Sequence, residues 1–173
     1  IMLGLWARTA GAFRVILCDI DPTKVEFARK QGFDAVNSRE TDPVEYIRTQ
    51  TGGRGADACI EGAGVAQTWE QALKAVKSFG TVVSMGNPAG DMTLTQKGYW
   101  EILRKQLTLK GTWNSNYNDV RNEWRTALAA IASHRIDVRP LISHRFPLSE
   151  ADKAFGVMRE RKEFFNKVMF INR

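Results

Sequence analysis

Four short stretches carry side chains or backbone that could do chemistry: Asp19, Glu61-Gly62-Ala63-Gly64, Gly86-Asn87 and Thr112-Trp113-Asn114. Each sits at or just after the C-terminal end of an apolar run that reads as a strand, and in open α/β sheets ligands bind outside those ends. A carboxylate placed there, as at Asp19, can accept hydrogen bonds from both hydroxyls of an adenosine ribose. Its charge repels a 2′-phosphate, Asp21 adds to that repulsion, and no arginine follows directly to hold such a group. The pattern predicts NAD rather than NADP. Taken alone, Asp19 reads equally as a helix-capping or solvated-loop aspartate, and the surrounding pattern favours the ribose. Lys24, one turn on, is either a ribose contact or a surface lysine. Gly62, Gly64 and Gly86 would let backbone approach a flat cofactor closely, or simply make tight turns. Asn87 and Asn114 offer amide groups that suit a nicotinamide carboxamide.

The elements that must position these residues alternate. Residues 1–10 read as a helix buried against a sheet, from Met2, Leu3, Leu5, Trp6 and Ala10. Phe13 to Leu17, ending at Cys18-Asp19, reads as a buried parallel strand. Asp21 is an N-cap with Pro22 at the first helical position, and the helix runs to about Lys30. Phe33 to Asn37 is a strand. Asp42, Pro43 and Glu45 form an N-cap, a first-turn proline and a capping-box acid for a helix to about Gln50. Ala56 to Glu61 is a strand. Ala66, Trp69, Leu73 and Val76 share a helical face, Thr81 to Met85 is a strand, and a short helix after Tyr99-Trp100 leads to a strand over Leu107 to Trp113. The order predicts an α/β, Rossmann-type doubly wound parallel sheet.

The pattern changes after Trp113. Asn114 to Asn118 is polar, Val120, Trp124, Leu128 and Ile131 form a helical stripe, and Leu141 to Phe146 is a strand. Ser149 with Asp152 caps a helix to about Met158, and Val168 to Ile171 closes the chain. Residues 1–113 are expected to form the dinucleotide domain and residues 114–173 part of a second one. A dinucleotide fold carries Gly-x-Gly-x-x-Gly between its first strand and first helix, and Gly4 and Gly11 do not make it. The expectation is a Rossmann domain without its first strand and glycine loop. That strand is central in the order 3-2-1-4-5-6, so its loss would split the sheet.

Composition narrows the classes. The chain has 173 residues and a net charge of +6. The basic residues are scattered among acids, without a lysine-rich stripe or RNA-binding motif, so no nucleic-acid partner is expected. No apolar run of about 18 residues exists, so no membrane span is expected. Cys18 and Cys59 lie inside apolar strand patterns and read as small core residues. With no CxxC and no Cys/His cluster, neither a disulfide framework nor a metal site within the chain is expected, and the setting is read as cytoplasmic. His134 follows a helix end and His144 lies in an alternating strand. Neither has a Cys or acid at ligand spacing, so both read as structural.

The chain resembles the C-terminal half of the zinc-dependent medium-chain alcohol/polyol dehydrogenases. The stretches that carry the resemblance are Val15-Ile-Leu-Cys-Asp-Ile-Asp-Pro-Thr-Lys24, Ala28-Arg-Lys-Gln-Gly32, Gly53-Arg-Gly-Ala-Asp57 leading to Glu61-Gly-Ala-Gly64, Gly80-Thr-Val-Val-Ser-Met-Gly-Asn87, Leu109-Lys-Gly-Thr-Trp113, Pro140-Leu-Ile-Ser-His144 and Lys167-Val-Met. Gly111-Thr-Trp-Asn-Ser115 and Asn122-Glu-Trp-Arg125 look closest to its galactitol-1-phosphate and sorbitol (iditol) dehydrogenase branch. The resemblance implies that Asp19 and Lys24 hold the adenosine ribose and that Gly62, Ala63 and Gly64 line the adenosine side. It implies that Met85, Gly86, Asn87, Thr112, Trp113 and Asn114 border the nicotinamide and that Lys167 contacts the cofactor phosphates. It further implies a polyol or sugar-alcohol-phosphate substrate, a homo-oligomer when full length, and a catalytic zinc whose ligands and proton relay lie outside this chain. No catalytic or metal-binding residue is therefore expected here, and the chain alone is expected to be inactive. Three other readings fit parts of the sequence: a zinc-free quinone or enone reductase, a non-catalytic nucleotide-binding or interaction module, and, least well, a basic nucleic-acid binder.

Overall fold

The computed structural model describes residues 1–172. They form two compact units by their contacts. One holds Cys18–Ile20 and Ala35–Ser115; the other holds Ile1–Leu17, Asp21–Asp34 and the chain from Asn116 onward.

The unit of Cys18–Ile20 and Ala35–Ser115 is built on a three-stranded parallel sheet. Strands β3 (Ala56–Glu61), β4 (Val76–Ser84) and β5 (Thr108–Gly111) lie side by side in that order. Helix α4 (Ala66–Ala75) joins β3 to β4 and helix α5 (Gln96–Lys105) joins β4 to β5, as parallel pairing requires a crossover. Leu73, Val76 and Val82 are fully buried, with Cys59, Trp69, Ala72, Leu94, Ile102 and Leu107 packed on them. Burying each of the three contributes about 1.5–3 kcal/mol. Helix α3 (Pro43–Gln50) starts where Asp42 accepts hydrogen bonds from the Val44 and Glu45 amides. Pro43 fills its first turn.

Strand β1 (Ile16–Asp19) pairs with β2 (Asp34–Asn37) in a separate two-stranded sheet. The Ser38 amide continues that ladder onto the Asp19 carbonyl at 2.9 Å. The described residues thus form an α/β structure in which β1-β2 and β3-β4-β5 are separate sheets.

In the other unit, α1 (Met2–Thr9), α2 (Pro22–Lys30), α6 (Glu123–Ala132) and α7 (Ala151–Glu160) accompany the parallel pair β6 (Ile142–Pro147) and β7 (Lys167–Ile171). Asp21 caps α2 through the Thr23 amide, as its sequence predicts. The Arg8 guanidinium stacks over the Phe33 ring at 3.6 Å and donates to the carbonyls of Gln31 and Gly32, tying α1 to the end of α2. Phe27 and Phe164 meet at 4.9 Å. Among the described residues no helix is long and apolar enough to cross a membrane.

Several expectations are corrected. Phe13 lies outside β1 and is fully exposed, and Cys18 is exposed, so neither is a core residue. Met2 and Leu3 are exposed, and only Gly4 of α1 is buried. β4 begins at Val76, directly after α4, rather than at Thr81. Tyr99 and Trp100 lie inside α5. Val120 precedes α6 and is exposed, as are Trp124 and Leu128, so the predicted stripe covers no core. Ser149 sits in a 3₁₀ turn, and α7 starts at Ala151 without a side-chain cap. The Glu45 carboxylate pairs with Arg48 at 3.4 Å. In each case the local pattern was apolar or cap-like, but the neighbour that would complete it is not supplied by adjacent chain.

Candidate functional site

The carboxyl ends of β4 and β5 open into a cleft of about 370 Å³ lined by Met85, Asn87, Thr112, Trp113 and Asn114. That volume falls at the small end of the range for ligand sites, roughly 300–1,000 Å³. The two strands deliver these residues side by side because Ser84 pairs with Gly111 in the ladder, and the Thr112 amide extends it to the Ser84 carbonyl at 3.1 Å. Trp113 is largely exposed, and Asn114 holds a left-handed backbone at φ +47°. Asparagine tolerates that region better than most side chains, so its amide can be turned out of the strand.

The turns after β3 and β4 are joined to each other. The Glu61 carbonyl accepts from the amides of Met85 at 2.9 Å and Gly86 at 3.0 Å, and the Gly64 carbonyl accepts from Ala89 at 2.9 Å. Gly64 stands at φ +73°, and a β-carbon on it would overlap the Asn87 carbonyl. A β-carbon on Gly86 would in turn overlap the Gly64 amide nitrogen. Both positions need glycine because two backbones pass within contact of each other. Gly62 and Ala63 are exposed at the tip of the first turn.

The predicted site residues are distributed as follows. Met85, Asn87, Thr112, Trp113 and Asn114 are brought together in the cleft, with Gly86 and Gly64 directly behind Asn87. Asp19 ends β1 in the same unit and is half-buried. Lys24, in the first turn of α2, and Lys167, at the start of β7, are exposed, belong to the other unit and do not line this cleft.

Two residues were missed by sequence reasoning. In the sequence Glu61 reads only as a strand-end residue. Its carboxylate is buried and accepts from the Ala63 amide, the Gly64 amide and the Thr68 hydroxyl at 2.7, 2.8 and 2.8 Å. An acid directly before Gly-Ala-Gly was the available signal. Lys105 carried none: its ammonium donates to the carbonyls of Leu73, Lys74 and Val76, closing the end of α4 from 29 or more residues away. On β3 itself, burial and then the nearby Cys18 push the Cys59 thiol up to about 11.

Two asparagines, a methionine, a tryptophan and a threonine line the cleft, so carboxamide, thioether, indole and hydroxyl groups for hydrogen bonding and apolar contact are gathered there. Among the described residues no group of three or more His, Cys, Asp or Glu is arranged to hold one.

Residues 1–133 match the family described as zinc-binding dehydrogenase. An alcohol dehydrogenase from Cupriavidus necator is 30% identical over 168 residues, which are 94% of this chain and 43% of that protein. The solved structure of galactitol-1-phosphate dehydrogenase from Escherichia coli superposes with a TM-score of 0.81 at 26% identity, over 93% of this chain and 47% of that one. A zinc-binding dehydrogenase from Sinorhizobium meliloti, solved bound to NADP, superposes with a TM-score of 0.78 at 31% identity, over 98% of this chain and 48% of that one. The chain spans less than half the length of each of these proteins. It belongs to the zinc-binding dehydrogenase family.

Proposed function

We propose that this member of the zinc-binding dehydrogenases is the cofactor-binding half of an NAD-dependent enzyme that oxidises a secondary alcohol of a polyol or polyol phosphate to a ketone. The observation that carries the reading is the cleft at the ends of β4 and β5, which gathers Met85, Asn87, Thr112, Trp113 and Asn114. On this reading residues 1–113 belong to the dinucleotide domain and residues 114–173 to the catalytic domain. The whole enzyme is a homo-oligomer in the cytoplasm, and its zinc is held by residues other than those described. The chain alone turns over no alcohol.

Bound NAD supplies the carbon that accepts hydride. The chain's own residues hold and shield it. Asn87 and Asn114 present amide groups that pair with the carboxamide and so select which ring face meets the substrate. Met85 and Trp113 cover the ring with apolar surface and keep water from it. The Asp19 carboxylate accepts from the adenosine ribose hydroxyls. The sequence resemblance adds ribose contact by Lys24 and phosphate contact by Lys167, both of them exposed cations. The galactitol-1-phosphate dehydrogenase likeness supports a sugar-alcohol substrate.

NADP is the competing cofactor, because one solved relative carries it. Asp19 opposes NADP by charge. Calorimetric titration of both dinucleotides decides between them, in a protein that joins this chain to the upstream half of a zinc-binding dehydrogenase. Tight NAD and weak NADP binding, with NAD binding lost on Asp19→Ala, is the expected result. Binding of neither cofactor would overturn the dehydrogenase reading in favour of an interaction module.

A further inference from the structure

We infer that Glu61 is a positioning residue whose buried carboxylate locks the turn after β3 against the turn after β4 and so sets the wall of the cleft at Asn87. The inference rests on the cleft being the cofactor site. Glu61 is 4% exposed. A carboxylate in such a place is costly unless its oxygens are answered by donors. One oxygen, Oε1, takes all three of the donors around it: the Ala63 amide, the Gly64 amide and the Thr68 hydroxyl. Bonds from such donors to an ionised acceptor are about twice as strong as neutral ones. Thr68 lies in the first turn of α4, whose N-cap, Val65, has no side-chain cap of its own. The negative charge therefore also faces the positive end of that helix.

The consequence reaches beyond the turn that the carboxylate touches. Holding the Gly64 amide fixes the residue whose carbonyl receives the Ala89 amide and whose Cα leaves no room beside the Asn87 carbonyl. The Glu61 main-chain carbonyl receives the Met85 and Gly86 amides at the same time. One residue thus grips the first turn with its side chain and the second with its backbone. Asn87 lines the cleft, and its carbonyl packs so closely on Gly64 that a β-carbon there would overlap it. The charge does not touch the cofactor. It fixes where the Asn87 amide points.

The test compares Glu61→Ala, Glu61→Gln and Thr68→Val by residue-resolved amide exchange on the chain. Glu61→Ala is expected to speed exchange at Ala63 and Gly64, and by about tenfold or more at Ala89 and Gly86, amides that the side chain never touches. Glu61→Gln keeps an acceptor oxygen and is expected to rescue those amides to within roughly threefold of wild type. Thr68→Val, which leaves the carboxylate and both turn amides in place, is expected to fall between the two, and it carries the test should Glu61→Ala fail to fold. Exchange changes confined to residues 63 and 64, with 85–89 at wild-type rates, would overturn the coupling. In the joined full-length protein, Glu61→Ala is expected to raise KM for NAD about tenfold with little change in kcat, the mark of lost uniform binding. An unchanged KM removes the positioning role. A wild-type protein that uses no dinucleotide overturns the cofactor reading, while the exchange result still decides whether Glu61 couples the turns.

Discussion

The carbonyl of Asn87 occupies the space that a β-carbon on Gly64 would need. That relationship ties a turn with no cleft residue to one that has a cleft residue. Gly64→Ala is therefore expected to lose stability twice over. The left-handed φ of +73° costs an alanine about 1–2 kcal/mol. The backbone overlap costs about 1–3 kcal/mol more as strands shift apart. Urea denaturation reads the sum. Gly111→Ala is the control, since nothing lies within 4 Å of its would-be β-carbon. Equal midpoints for the two variants would mean that the turns are not packed as described.

Lys105 anchors the junction of α4 and β4. Its ammonium lies 2.8–3.0 Å from three carbonyls at the helix end and pairs with Glu101 at 2.8 Å. Lys105→Met keeps the aliphatic stem and leaves those carbonyls unanswered, so a loss of about 2–3 kcal/mol is expected. The exposed pair Lys30–Glu26 gives the contrast: Lys30→Met is expected to leave the unfolding midpoint almost unchanged. Chemical denaturation of both variants checks the difference. A loss at Lys105 as small as at Lys30 would show that water serves the α4 carbonyls equally well.

What the sequence revealed was what adjacent residues decide. Asp21-Pro22 and Asp42-Pro43 cap their helices where their spacing says they should, because the acceptor and the amides it meets are two or three residues apart. The bounds of β3 were legible for a similar reason: turn glycines flank an apolar run. Burial was less legible. Phe13 and Cys18 have core-like side chains, yet nothing local says whether a neighbouring element covers them. The start of β4 at Val76 was hidden because its condition, Lys105 closing α4, lies in a distant helix. In the site, strand-end position picked out Asn87, Thr112, Trp113 and Asn114, and the family resemblance added Met85. The donors around Glu61 could be known only once Thr68 was seen to turn back onto it.

The two cysteines should react differently. Burial first, then Cys18, hold the Cys59 thiol at a pKa of about 11, so it carries almost no thiolate near neutrality. Cys18 is exposed. Iodoacetamide at pH 8 is expected to label Cys18 well before Cys59 in the native chain, with mass spectrometry locating the adduct. The same shift has a stability sign. A thiol whose folded pKa is raised above its unfolded value, about 8.5, stabilises the fold fully below that value. The contribution, about 3 kcal/mol, is lost as pH rises from there through the folded value of about 11. Cys59→Ala should therefore flatten the alkaline arm of the stability curve. An unchanged alkaline arm would place the thiol in contact with water.

The two ends of the proposed cofactor can be separated with ADP-ribose, which has the adenosine ribose and both phosphates but no nicotinamide. If Asn87 meets the carboxamide, Asn87→Ala removes a contact that only NAD makes. Its NAD affinity is expected to fall by about three- to tenfold, the loss of one ordinary hydrogen bond, while ADP-ribose affinity holds. Asp19→Ala should act at the other end and weaken both ligands alike, by about tenfold or more for charge-assisted bonds to the ribose. Trp113 gives an optical readout, because it is largely exposed at the cleft rim and would be covered on nicotinamide binding. NAD, and not ADP-ribose, should then shift its emission. A uniform loss for both ligands at Asn87→Ala would move the nicotinamide out of this cleft. Equal emission shifts from both ligands would say that Trp113 responds to the adenosine half instead, and the orientation assigned to the cofactor would have to be reversed.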